Sequence, residues 1–141
     1  MAVVSRYTVA LHILTLLAYS STRSGTYLTS DFIAKSVNTN PVFIRRILSS
    51  LSASGLVQVK YGTGSGWCLG KKSDEITFLD VYEAVEQKQL FEYHHSTPNQ
   101  FCPIGGNIQT SLEPYYHAAE QAMRTSLSRS TIADLLLDTV Q

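Results

Sequence analysis

The sequence predicts a mainly α-helical fold that carries one small β-hairpin. Three observations lead there. Apolar residues recur at helical spacing, as in Ile44, Ile47, Leu48 and Leu51 at i, i+3, i+4 and i+7. One stretch, 56–69, switches to β-branched alternation around a glycine-rich tip. The 141 residues also divide by charge. Residues 1–72 hold eight Lys/Arg and one acid, a net +7, and residues 73–141 hold three Lys/Arg and ten acids, a net −7. A basic module joined to an acidic one points to a surface for a polyanion and a second part with another task. The expected division is therefore 1–72 and 73–141.

Residues 4–20 read as a helix with Tyr7, Leu11, Leu14 and Ala18 on one side and Val9, Ile13 and Leu16 on the other. A helix apolar nearly all round is buried on more than one face, which makes His12 a core or interface histidine. The apolar run after Arg6 superficially resembles an export signal, but Thr8, His12 and Thr15 interrupt it. No stretch approaches the roughly 20 apolar residues that span a bilayer. Cys68 and Cys102 form no disulfide framework. A cytoplasmic protein without a membrane partner is expected.

Thr29 or Ser30 caps a short helix reaching Val37, with Asp31 favourable in its first turn. Asn38-Thr39-Asn40-Pro41 breaks the chain and restarts it, and proline suits the first helical position. The next helix reaches Ser54 and stops at Gly55. Opposite its apolar stripe lie Val42, Arg45, Arg46, Ser49 and Ser50. A short helix, a tight turn and a second helix with a small, basic outer face match a helix-turn-helix. Leu56–Tyr61 then reads as a strand, Gly62–Gly66 as a flexible loop and Trp67–Leu69 as the returning strand. Flanked by Lys60, Lys71 and Lys72, this hairpin is a wing.

The acidic half opens with Thr77 and Asp80 in a capping-box pattern, before a helix expected to bury Phe78, Val81, Tyr82 and Val85. Residues 87–106 look irregular. Ile108, Leu112, Tyr115, Ala119 and Ala122 then alternate by four and three, a seam like that of a coiled coil. Pro114 must kink that helix or mark its beginning. Thr131 and Asp134 form a second capping box before Leu135–Leu137. A long amphipathic helix behind a winged helix-turn-helix is expected to be a dimer contact, with packing on its own domain as the competing reading.

Asn40, Pro41, Val42, Arg45 and Arg46 occupy the start and outer face of the second helix, where a major-groove reader presents its side chains. Thr29, Ser30, Lys60, Tyr61, Gly62, Thr63, Gly64 and Ser65 are placed for phosphates or a minor groove, where small residues permit close approach. Double-stranded DNA is the expected partner. Cys102, before Pro103 and near His94 and His95 in sequence, is a candidate redox sensor, because a histidine near a thiol can lower its pKa. An inert loop cysteine is the simpler reading. His94 and His95 are adjacent and diverge, so this pair alone makes no metal site. A cysteine-dependent enzyme lacks an orienting third residue and an oxyanion site. A winged-helix module serving protein contacts alone is the other alternative, and the Arg45/Arg46 face argues against it.

The order Asn40-Pro41-Val42-Phe43-Ile44-Arg45-Arg46-Ile47-Leu48, then Leu51, Gly55-Leu56-Val57 and the Gly62–Leu69 wing, resembles the Rrf2 family of bacterial transcription regulators. The opening helix, Leu79-Asp80-Val81-Tyr82-Glu83-Ala84-Val85-Glu86 and the terminal Thr131-Ile132-Ala133-Asp134-Leu135-Leu136 extend the resemblance nearly end to end. It implies a dimeric winged helix-turn-helix whose long helix joins the protomers and whose preceding loop is a sensor of a small-molecule or redox effector. Two departures stand out. The family's wing often reads Arg-Gly where this chain has Tyr61-Gly62. Members that bind an iron–sulfur cluster carry three closely spaced cysteines in the sensor loop, where this chain has only Cys102. No cofactor is expected, and the resemblance is to the cluster-free members. A repressor acting as a homodimer on a palindromic operator is the function implied.

Overall fold

The computed structural model describes residues 2–25, 27–86 and 88–141, with side chains from Ser5 onward. The elements in chain order are α1 (Ala2–Arg23), α2 (Ser30–Val37), α3 (Pro41–Ala53), β1 (Val57–Lys60), β2 (Gly66–Leu69), a 3-10 turn (Ser73–Glu75), α4 (Phe78–Val85), α5 (Ile108–Leu127) and α6 (Ile132–Thr139). They form two compact units, Met1–Gln87 with Leu127–Gln141, and Lys88–Ser126. The basic stretch 1–72 thus shares its unit with 73–87 and 127–141. Among the described residues no helix is long and apolar enough to cross a membrane.

In the first unit α1 is the central element. Its Ala10, Ile13, Leu14, Leu17 and Ala18 are buried with Ile33 of α2, Ile44, Ile47, Leu48 and Leu51 of α3, and Val81 and Val85 of α4. That burial matches a helix apolar on most sides. His12 is not a core histidine. It is exposed, with Nε2 3.0 Å from Ser36 Oγ, and so tethers α1 to α2 at the surface. Ala84 is buried in α4, whereas Phe78 and Tyr82 are half-buried because they pack at the edge of α1. The Tyr7 ring meets Tyr82 edge-on at 5.5 Å, and its hydroxyl donates to the Phe78 carbonyl at 2.8 Å.

Burial, with Tyr82 nearby, pushes the Tyr7 hydroxyl up to about 12. A folded-state value above the unfolded one means that this stabilisation is complete below pH ~10 and is lost as pH rises towards 12. Tyr7→Phe should cost about 0.5–1.5 kcal/mol at neutral pH by removing one half-buried hydrogen bond. Urea unfolding at pH 7 and pH 11 checks this, the difference between wild type and variant shrinking at the higher pH.

Both capping boxes form. Thr77 accepts from the Asp80 N–H and Asp80 from the Thr77 N–H, each at 3.0 Å, and Thr131 and Asp134 repeat the exchange at 3.2 and 2.9 Å. The two helix starts also pair with each other. The Phe78 N–H donates to Ser130 O and the Ile132 N–H to Ile76 O, both at 2.9 Å. Within the second unit α5 starts at Ile108, so Pro114 lies inside it and does not mark its beginning.

Candidate nucleic-acid interface

Local chemistry sets the ends of the two helix-turn-helix elements. Thr29, not Ser30, is the N-cap of α2: its hydroxyl accepts from the Phe32 N–H at 3.1 Å. The helix closes at Asn38, whose left-handed backbone (φ 63°) lets its N–H reach Ala34 O. A short polar side chain tolerates that conformation better than a branched one would. Asn40 then caps α3 through an Oδ1 bond to the Val42 N–H at 2.7 Å, with Pro41 at the first helical position. Asn40 Oδ1 is therefore engaged by its own helix, which leaves its amide nitrogen for an outside partner.

The buried stripe of α3 turns the other face to solvent. Val42, 48% exposed, stands beside exposed Arg45, Arg46 and Ser49, while Ser50 is half-buried and donates to Arg46 O at 3.4 Å. Among the described residues no carboxylate forms an ion pair with Arg45 or Arg46. Exposed, unneutralised guanidiniums on one helix face form a surface for phosphate or guanine edges.

The wing is an antiparallel pair, with Val57 opposite Leu69, Gln58 opposite Cys68, Val59 opposite Trp67 and Lys60 opposite Gly66. Tyr61, Gly62, Thr63, Gly64 and Ser65 are all exposed at its tip, and positive φ angles of 88° and 73° at Gly62 and Gly64 make the turn. The Lys60 ammonium sits 5.5 Å over the Tyr27 ring, which directs it along the wing's flank.

One feature of this surface has no signal in local sequence. Leu28, which reads as part of a turn, pairs with Trp67. The Leu28 N–H donates to Trp67 O at 3.0 Å and the Trp67 N–H to Leu28 O at 2.7 Å. This bridge joins the wing to the residue just before the Thr29 cap, so wing and α2 are held as one piece. Cys68 faces Tyr27, and their hydrogen bond raises the Tyr27 hydroxyl above its ordinary value.

The remaining sequence-predicted residues lie in the second unit. Cys102 is half-buried, and its thiol is held below the usual thiol range by the backbone N–H groups of Gly105 and Ile104. The cause is this backbone turn rather than a histidine; His94 instead pairs with Gln109 at 3.2 Å. Along α5, Ile108 and Leu112 are half-buried, whereas Tyr115 (75% exposed), Ala119 and Ala122 lie open.

A helix-turn-helix joined to a wing, with an arginine-bearing second helix, defines a winged helix-turn-helix transcriptional regulator. The chain belongs to the Rrf2 family, described as an iron-dependent transcriptional regulator, which it matches over residues 3–138. It is 37% identical to YwnA of Bacillus subtilis (strain 168), named as an HTH-type transcriptional regulator, over 94% of this chain and 95% of that one. A crystal structure described as a DNA-binding protein is 32% identical, with a TM-score of 0.72, covering 93% of this chain and 98% of that one. A transcriptional-regulator structure from Lactobacillus plantarum, 25% identical, has a TM-score of 0.76 and covers 95% of this chain and 89% of that one.

Proposed function

We propose that this regulator is a cytoplasmic, sequence-specific repressor that binds a palindromic operator as a homodimer. The observation that carries the reading is the exposed, unpaired Arg45/Arg46 face of α3, beside a basic-flanked wing that the Leu28–Trp67 bridge joins to the start of α2. Asn40, Val42, Arg45 and Arg46 read base edges, and Thr29, Ser30, Lys60 and the 61–65 tip hold the backbone. A dimer places two such helices about one turn of B-DNA apart, which matches a two-fold operator. Repression follows because a small dimer seated on a promoter can act simply by blocking polymerase.

The 108–122 seam is the proposed dimer contact, because a helix with Tyr115, Ala119 and Ala122 open would otherwise leave apolar surface in water. Light scattering at micromolar protein should give twice the chain mass, and a monomer would remove both dimer and palindrome. Sequencing the genomic fragments that the protein selects tests the whole reading, with an inverted repeat near promoters as the expected result.

The family description mentions iron, but the thiols of this chain do not fit a thiolate-ligated cluster, which commonly takes four. Residues 88–107 supply Cys102 alone, with backbone N–H groups at its sulfur, and Cys68 lies on β2 against Tyr27. The proposed protein is cluster-free, and anaerobic preparations should be colourless and lack acid-labile sulfide.

A further inference from the structure

We propose that the second unit holds a binding site for a small organic cation, of the quaternary or alkylammonium class. The claim stands on the geometry of this hollow, and it supplies the ligand class that the sensor expectation for this region lacks. The site is a hollow of about 290 Å³ between residues 89–93 and α5. Its aromatic wall is built from three rings. Phe91 stacks on Tyr116 at 4.6 Å between centroids, and Tyr93 tilts against the same ring at 5.6 Å. Glu113 and Glu120 of α5 line the hollow, with His117 between them in sequence. The Leu90 N–H donates to Glu120 Oε1 at 3.3 Å, which holds the 89–93 segment and that carboxylate in place together.

The lining selects by charge. Aromatic faces carry negative potential and attract a cation over the ring. Two carboxylates reinforce it, and no Lys or Arg lines the hollow among the described residues. An anion would meet like charge, and a neutral apolar ligand would desolvate the carboxylates without compensation. A bare metal ion fits poorly, because among the described residues no three His, Cys, Asp or Glu side chains, Glu113, His117 and Glu120 included, are grouped closely enough to hold one, and a metal gains nothing from the ring wall. An organic cation uses both features at once. The volume, at the small end of ligand pockets (roughly 300–1,000 Å³), limits it to a compact head.

The test is calorimetric titration of the full chain with choline and with its neutral isostere, 3,3-dimethylbutan-1-ol. Saturable choline binding, with the neutral compound at least ~10-fold weaker, is expected. Glu113→Gln, which leaves the rings and the Leu90 contact intact, should weaken choline about 5-fold or more and leave the neutral compound unchanged. Tyr116→Leu should weaken choline further, and circular dichroism checks that it folds. Equal binding of the two compounds, no saturation by ~10 mM choline, or a Glu113→Gln protein that binds choline unchanged would overturn the site. Operator affinity measured with and without choline separates the two layers: binding without effect on DNA removes the sensor reading and leaves the site standing.

Discussion

Replacing both Arg45 and Arg46 by alanine should lower operator affinity by about 2–6 kcal/mol, because each arginine reading a guanine contributes about 1–3 kcal/mol of discrimination. That is roughly 30-fold to 10⁴-fold in Kd. The fold should be unaffected, since both side chains are exposed and the buried face of α3 is Ile44, Ile47, Leu48 and Leu51. Lys60→Ala gives the contrast. A phosphate contact from the wing should weaken binding to operator and scrambled DNA alike and reduce the salt slope by about one unit. Fluorescence anisotropy on both DNAs at several salt concentrations measures all of this. Unchanged operator binding by the double variant would remove α3 as the recognition helix.

Gly66→Ala should lower stability by about 2–4 kcal/mol, from backbone strain and overpacking together. Gly66 is buried at φ 150°, and a Cβ there would come within 2.7 Å of the Leu28 carbonyl oxygen. The displaced group belongs to the very bridge that ties the wing to α2. A lower urea midpoint with faster amide exchange at Leu28 and Trp67 is the expected result. Exchange rates equal to wild type at those two amides would show that the bridge does not depend on Gly66. Gly64→Ala is the control. It also has a positive φ, but nothing lies within 4 Å of its Cβ position, so only the backbone strain should register.

These two variants mark what the sequence makes legible. The Arg45/Arg46 face follows from local rules: the Ile44–Leu51 stripe fixes which side of α3 is buried, and Asn40-Pro41 fixes where it begins. The capping boxes at Thr77 and Thr131 are local for the same reason. The Leu28–Trp67 bridge is not local, and Gly66, which reads as part of a flexible tip, is buried because that bridge runs across it. His12 and Ala84 teach a related lesson. An apolar helix face says that something is buried, but where α2 and α4 lie on α1 decides that His12 is wet and that Ala84, not Phe78, is fully covered. The aromatic hollow in residues 89–120 was illegible because its wall joins a segment without periodicity to a helix face twenty or more residues later.

The paired starts of α4 and α6 have an evolutionary consequence. Thr77 and Thr131 lie side by side, each the head of its own capped helix, and everything from 88 to 126 is strung between two helices already anchored on α1. Such a segment behaves as a replaceable cassette. Lineages can lengthen, shorten or re-equip it without rethreading the core that carries the DNA-reading surface. Changes confined to residues 88–107, ahead of α5, would leave the 108–122 seam and the helix-turn-helix side chains in place.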